Sequence, residues 1–234
     1  MTGIVYGVGV GPGDPELLTL KAARLIRSAD LIAYPAPEEG PSFARQIAAP
    51  HVPQGIAELA IRMNIGDGRF PKDDVYDGAA VTIAKAAESG QQVTVLCEGD
   101  PFFYGSFMYL FARLAGRCRV EVVPGVSSLM ACATATRGAL AARNDVLTVI
   151  PAPLPEEELR RRLSEIEAAA IIKVGRHFAK VRKVLTELKL ADCTRYVEHA
   201  TLANERVLPL HEVPADAAPY FSMLLVHRRG DAWK

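Results

Sequence analysis

Gly7-Val8-Gly9-Val10-Gly11-Pro12-Gly13-Asp14-Pro15 is the stretch whose reading decides the fold. It follows the apolar run Ile4-Val5-Tyr6. After it, Leu18, Ala22, Leu25, Ile26 and Ala29 recur at helical spacing, with Lys21, Arg24 and Ser28 on another face. The stretch is therefore a strand-to-helix turn. Its glycines let a ligand approach the backbone closely. Asp14 is placed to cap the helix and Pro15 to begin it. Two nucleotide motifs are excluded. A dinucleotide fingerprint needs a third glycine three places after the second, but Gly7-x-Gly9 leads to Pro12 and Gly9-x-Gly11 to Asp14. No Gly-Lys-Ser/Thr occurs for a P-loop. Asp14 also puts negative charge where a phosphate would sit, so the turn suits a neutral or cationic ligand.

Working outward, strand-like and helix-like segments alternate along the 234 residues, the pattern of an α/β protein with largely parallel sheets. Leu31–Tyr34 reads as a strand closed by Pro35 and Pro37. Residues 38–77 read as an irregular excursion with one or two helices and an isolated apolar patch, Ile61, Met63 and Ile65. Asp77–Ser89 reads as a helix stopped by Gly90, Val93–Cys97 as a buried strand, Ser106–Ala115 as a helix and Val120–Val123 as a strand. A helix of small residues then runs to Arg137. A second set follows: strand Val146–Ile150, helix Glu156–Ala168, strand Ala170–Val174, helix His177–Leu188, and strands at Thr194–Val197, Glu205–Leu210 and Phe221–Val226. The crossover near Arg113–Val126 divides the chain into expected domains 1–117 and 118–234.

Composition narrows the function. Basic and acidic residues number 27 each, so no global field draws the chain to nucleic acid or an anionic membrane. No apolar run approaches the roughly 18 residues of a membrane span, and no basic region precedes the first apolar run. Cys97, Cys118, Cys132 and Cys193 are scattered without metal or redox spacing; free thiols in the cytoplasm are expected, with Cys97 and Cys132 buried. No metal site is expected.

Ligands of open parallel sheets bind beyond the carboxyl ends of the strands. The unusual turns leaving those ends are Gly11–Asp14, Glu98–Gly105, Pro124–Ser128, Gly175–His177 and Glu198–Thr201. Asp100, fixed between Gly99 and Pro101, is either turned to the ligand or spent on an Asx-turn. Glu98, Tyr104 and Tyr109 are further candidates. His177 and His199 read as a helix cap and a strand-end residue. Arg160–Arg162 alternate with Glu156–Glu158 and Glu165 as a solvated face. Arg137, Arg143, Lys173, Arg176 and Lys180 lie nearer the turns and could meet carboxylates of a ligand.

With these turns in order, the chain resembles the class III S-adenosylmethionine-dependent tetrapyrrole (corrin/porphyrin) methyltransferases. The hallmarks are Gly9-Val10-Gly11-Pro12-Gly13-Asp14-Pro15-Glu16-Leu17-Leu18-Thr19-Leu20-Lys21-Ala22, Gly99-Asp100-Pro101 and Val123-Pro124-Gly125-Val126-Ser127-Ser128. The run Leu96–Leu110 and Tyr196–Thr201 with Glu205-Arg206 resemble the branch that methylates C20 of precorrin-2. Glu98 before Gly99-Asp100-Pro101 departs from the uroporphyrinogen branch, which has glycine there. The resemblance implies two αβα domains with mostly parallel central sheets, S-adenosylmethionine in a cleft between them, S-adenosylhomocysteine as product and a homodimer. It implies cofactor contacts from Pro12, Glu98, Gly99, Asp100, Phe103, Ser127, Ser128, Val174, Ala200 and Thr201. Glu98, Asp100 and Tyr104 are the candidates for a catalytic base, and the sequence does not choose among them. The implied activity is C20 methylation of precorrin-2 in cobalamin synthesis. The alternatives are the cobalt-containing counterpart of that substrate, methylation of ribosomal RNA or a diphthamide precursor, and a non-catalytic binding module.

Overall fold

The computed structural model describes residues 3–63, 73–214 and 218–229, so Ile65 lies outside the described residues. Two compact units divide after Ser127. In chain order the first holds β1 (Ile4–Gly9), α1 (Leu20–Arg27), β2 (Leu31–Pro37), α2 (Phe43–Ala48), β3 (Ala57–Met63), α3 (Asp73–Glu88), β4 (Gln92–Cys97), α4 (Phe107–Leu114) and β5 (Arg119–Val123). Its five strands lie in the order β3-β2-β4-β1-β5, and every pairing among them is parallel. Side chains alternate across this sheet. Val93, Val95 and Cys97 of β4 join Tyr76, Ile83 and Phe107 of α3 and α4 on one face. Leu96 joins Leu25, Ile26 and Ile47 of α1 and α2 on the other. A sheet covered on both faces needs strands that are apolar at consecutive positions, and β4 is such a strand.

The expected boundary at 117/118 falls too early. β5 pairs along β1 from Ile4↔Arg119 to Val8↔Val123, so the first unit keeps this strand and the turn after it. Local details differ too. Asp14 caps a 3-10 turn, Pro15–Leu17, by accepting from Glu16 N at 2.8 Å; the helix proper starts later, capped by Thr19. Strand β2 runs through Pro35 and Pro37 because β4 pairs with it only as far as Ala33. Past that point one side of β2 is an edge, where a residue without N–H forfeits no ladder bond. Helix α3 already includes Asp73, and Gly90 stops it at φ 95° as anticipated.

The second unit holds α5 (Ser128–Thr136), β6 (Leu147–Pro151), α6 (Glu156–Ser164), β7 (Ala168–Ile172), α7 (Phe178–Glu187), β8 (Thr194–Glu198), β9 (Arg206–Pro209) and β10 (Ser222–His227). Its sheet runs β6-β7-β10-β8-β9 and is mixed. Only β6 and β7 are parallel; β10 is antiparallel to both β7 and β8, and β9 antiparallel to β8. The expectation of a mostly parallel second sheet is thus corrected by β10, which inserts between β7 and β8 in the reverse sense. Ala168, read as the end of a helix, belongs to β7, which is buried at all five positions. Alanine's helical preference yields here to burial between two neighbours. Helices α6 and α7 cover one face, and α5, through Leu129 and Cys132, covers the other. All four cysteines are free, with Cys97 and Cys132 buried. The Arg160–Arg162 run does form surface ion pairs with Glu156, Glu158 and Glu187.

One close approach fixes the first unit. A Cβ on Gly9 would lie 2.6 Å from both the Gly125 Cα and the Gly99 carbonyl oxygen, and a Cβ on Gly125 would overlap that same oxygen. Gly9→Ala is therefore expected to cost about 1–3 kcal/mol of stability through overpacking. Gly78→Ala, on the exposed side of α3 with nothing near its Cβ, is expected to add about 0.5–1 kcal/mol. Urea unfolding measures both, and a Gly9→Ala protein as stable as the wild type would contradict the packing.

Candidate active site

Strands β4, β1 and β5 are neighbours, so the turns that follow them share one margin of the first sheet. Backbone bonds tie two of them together: Gly99 N donates to Gly11 O at 2.8 Å, and Gly11 N to Gly99 O at 3.3 Å. The third is tied by Asp100, whose Oδ2 accepts from Gly125 N at 3.1 Å while Oδ1 accepts from Phe102 N at 2.9 Å. Asp100 thus builds an Asx-turn and clamps the β4 turn to the β5 turn. That is the second of its two anticipated roles, and it makes the carboxylate a positioning group. Gly99 takes φ 60°, and a Cβ there would meet nothing within 4 Å, so open space lies over this backbone.

Glu98 precedes Gly99 in the chain and is half-buried. Burial pushes its carboxyl above the usual carboxylate range, opposed by the N–H groups of Glu98 itself and of Ala44 in α2. The Cys97 thiol before it is pushed up to about 11, by burial first and then by Glu98. Beyond Asp100 the chain exposes three consecutive aromatics, Phe102, Phe103 and Tyr104. Phe102 sits edge-on to Phe111 at 5.2 Å, and Phe103 edge-on to Tyr104 at the same distance. Tyr104 has φ 56°, a left-handed conformation that an aromatic side chain adopts at a cost and that clusters at functional sites. Tyr109 does not join them; it packs on Tyr76 at 5.2 Å. Pro12 and Ser127 are half-buried in their turns.

The second unit carries its own strained margin. β10 is antiparallel to β7 and β8, so its start meets their carboxyl ends: Ser222 pairs with Glu198, and His199 N donates to Phe221 O at 2.9 Å. Lys173, His199 and Thr201 all take positive φ, between 53° and 70°. Val174 is buried and Ala200 nearly so, while Thr201 donates its N–H to Glu205 Oε2 at 2.7 Å. Glu198, 7% exposed, accepts from Tyr196 Oη at 2.5 Å and from Arg206 Nε at 2.7 Å, which anchors the end of β8. Burial, and then that hydrogen bond, raise the Tyr196 phenol. His177 is half-buried at the start of α7; burial first, and then Lys180 and Arg176, hold it below the ordinary imidazole range. Lys180 donates to Leu154 O at 2.5 Å. Arg137, Arg143, Lys173 and Arg176 are exposed. Ser128 is exposed at the first position of α5.

Sequence reasoning missed Ala44 as a neighbour of Glu98. It also missed Tyr76, whose ring lies under the Arg113 guanidinium at 5.7 Å and whose buried Oη has no hydrogen-bond partner among the described residues. Both pairings join distant segments, and no local pattern announces them. Glu58 and Arg62 were also passed over, although their four-residue spacing on a strand places them on one face.

The family model for tetrapyrrole (corrin/porphyrin) methylases matches residues 4–214. The chain is 40% identical to precorrin-2 C(20)-methyltransferase of Sinorhizobium, covering 96% of this chain and 95% of that one. It is equally similar to cobalamin biosynthesis protein CobIJ of Mycobacterium tuberculosis, of which it spans only 46%. It is 30% identical to cobalt-precorrin-2 C(20)-methyltransferase of Salmonella typhimurium, with 98% of each covered. Among solved structures, uroporphyrin-III C-methyl transferase of Thermus thermophilus, complexed with S-adenyl homocysteine, superposes with a TM-score of 0.71 at 24% identity, covering 97% of this chain and 98% of that one. A full-length match of this kind, over the turns just described, establishes that the chain belongs to the tetrapyrrole (corrin/porphyrin) methylase family.

Proposed function

We propose that this protein transfers a methyl group from S-adenosylmethionine to C20 of precorrin-2, giving precorrin-3A. The observation that carries the reading is the 40% identity with the Sinorhizobium enzyme along nearly the whole of both chains. The geometry fits such a donor. Open space over Gly99, glycine turns on either side and the Glu98 carboxyl suit a ligand carrying a sulfonium and an ammonium, and Asp14 and Glu98 oppose a polyphosphate. When bound, S-adenosylmethionine supplies a methyl group already activated by its positive sulfur. We assign Pro12, Gly99, Phe103 and Ser127 of the first unit to holding it, with Asp100 fixing their turns. Ser128, Val174, Ala200 and Thr201 are assigned on the family resemblance alone. A cytoplasmic homodimer belongs to the same reading.

The protein's tasks are then alignment, exclusion of water and removal of one proton. Alignment and the avoided solvent reorganisation account for up to about 7–11 kcal/mol of a barrier of this kind. The residues around the open space over Gly99 would hold the donor's activated methyl group in line with C20 of the macrocycle. C20 then loses its proton, and the C–H pair returns to the macrocycle. Of the three candidate bases, Asp100 spends both oxygens on backbone N–H groups and Tyr104 is a phenol in an exposed turn. Glu98, raised by burial, is the base we assign. The match with the Salmonella relative favours the cobalt-containing substrate as a second reading.

Methylation of metal-free and cobalt-loaded precorrin-2, followed by mass and by the labelled carbon, tests the assignment. A single methyl at C20 of the metal-free substrate is expected; preference for the cobalt form selects the second reading, and no transfer to either refutes both. Glu98→Gln is expected to lower kcat roughly 100-fold or more and to remove the acidic limb of the pH–rate profile. The native protein also keeps a proton on Glu98 at pH values where the unfolded chain has lost it. Stability therefore falls as pH rises from the ordinary carboxylate pKa to the raised one, and Glu98→Gln flattens that slope in urea titrations. Asp100→Asn turns an amide nitrogen toward one of two N–H donors. It is expected to weaken S-adenosylhomocysteine binding by roughly 5- to 30-fold in isothermal titration without unfolding the protein; unchanged affinity would contradict the clamp.

A further inference from the structure

Beside α2, on the outer part of the first sheet, lies an open cavity of about 340 Å³ lined by Tyr34, Ser42, Arg45, Gln46, Glu58 and Arg62, among others. We propose that this cavity is a carboxylate subsite: the Arg62 guanidinium, with the Gln46 amide, receives one acidic side arm of the macrocycle and so sets its orientation. The inference rests on the function proposed above and names a specificity determinant for it.

Three observations carry it. First, the cavity wall is built and held. Glu58 takes Arg45 in a two-pronged pair, Nε at 2.8 Å and Nη2 at 2.9 Å. That contact, opposed by burial and helped by a hydrogen bond from the Tyr34 hydroxyl, holds the Glu58 carboxyl below its usual range. Arg45 is thereby neutralised and locked against β3. Ser42 is buried and bonds Pro35 O at 2.5 Å, which fixes the start of α2.

Second, the charges in the wall do not cancel. With Arg45 and Glu58 paired, no carboxylate among the described residues pairs with Arg62, and its positive charge is left over. Arg62 makes three hydrogen bonds, to Pro37 O at 3.0 Å, Glu38 O at 3.3 Å and Gly40 O at 3.5 Å, and all three run through Nη1. Those carbonyls orient the planar fork without neutralising it. A guanidinium held by one nitrogen in a cavity with an amide is suited to a planar, singly charged acceptor.

Third, the cavity is tied to the candidate base. Arg45 and Gln46 lie on the same short helix whose Ala44 N–H approaches Glu98. A six-residue helix is about 9 Å long, so a group seated in the cavity lies within one short helix of the groups that handle the reacting carbon. The space has room for a two- or three-carbon acid arm.

The test uses the whole protein with precorrin-2 as the probe. Arg62→Gln keeps a donor for the three carbonyls and removes the charge. It is expected to raise KM for precorrin-2 by roughly 3- to 10-fold, with kcat and S-adenosylhomocysteine affinity unchanged, and Arg62→Lys is expected to recover part of the loss. Gln46→Glu, at an exposed position of α2, adds a repelling carboxylate without touching Arg62. It is expected to raise KM as well, by less as salt is raised. If both Arg62→Gln and Gln46→Glu keep the wild-type KM, or if Arg62→Gln lowers only the unfolding temperature, the subsite is refuted. An inactive wild-type protein would instead refute the proposed function.

Discussion

The structure depends on how closely three backbones approach at Gly9, Gly99 and Gly125. Parallel strands leave their carboxyl ends side by side, but side-by-side turns are not yet a site. Here side chains have been deleted at the point of contact, so the Gly99 carbonyl packs against Gly9 and Gly125 directly. A reciprocal pair of hydrogen bonds between Gly11 and Gly99 closes one seam, and the Asp100 carboxylate closes the other. Hydrogen bonds to a charged acceptor contribute about 1.5–3 kcal/mol each, enough to keep a loop margin in one conformation. The result is a rigid floor whose open point is the space above Gly99, with one carboxyl beside it whose pKa burial has raised.

Electrostatics is arranged locally, since the chain has no net charge to spend. Acid residues stand at the glycine turns, while arginine is set apart at the outer edge of the same sheet. Glu58 and Arg62 protrude from one face of β3, and the first of them disposes of Arg45. A cationic donor and a polyanionic acceptor thus find different environments within one unit. The second unit follows a related plan with other means. Non-glycine residues at positive φ line its strand ends, and the buried Glu198, bonded by Tyr196 and Arg206, anchors them.

What was legible in the sequence was local. Glycine and proline at 9–15, 99–105 and 124–125 mark the turns because only particular backbone angles fit those residues. Alternating segments gave away the α/β class for the same reason. Pairing partners were not legible. The reversed β10 has no signature within its own six residues, and the alanines of β7 follow helix propensity until two neighbouring strands bury them. Asp100 shows the boundary well. Its position was readable, but whether its oxygens face a ligand or Gly125 depends on a turn 25 residues away. The boundary expected at 117/118 missed the division after Ser127 for a similar reason, because β5 declares its unit only by pairing with β1.

The central claim is that the three clamped turns form the floor on which the methyl donor rests. Residue-resolved hydrogen exchange, with and without saturating S-adenosylhomocysteine, tests it most directly. Exchange is predicted to slow on binding at the non-proline amides of residues 10–13, 98–105 and 125–127, with helix α6 unaffected. Binding that leaves all three turns exchanging at their free rate would contradict the account.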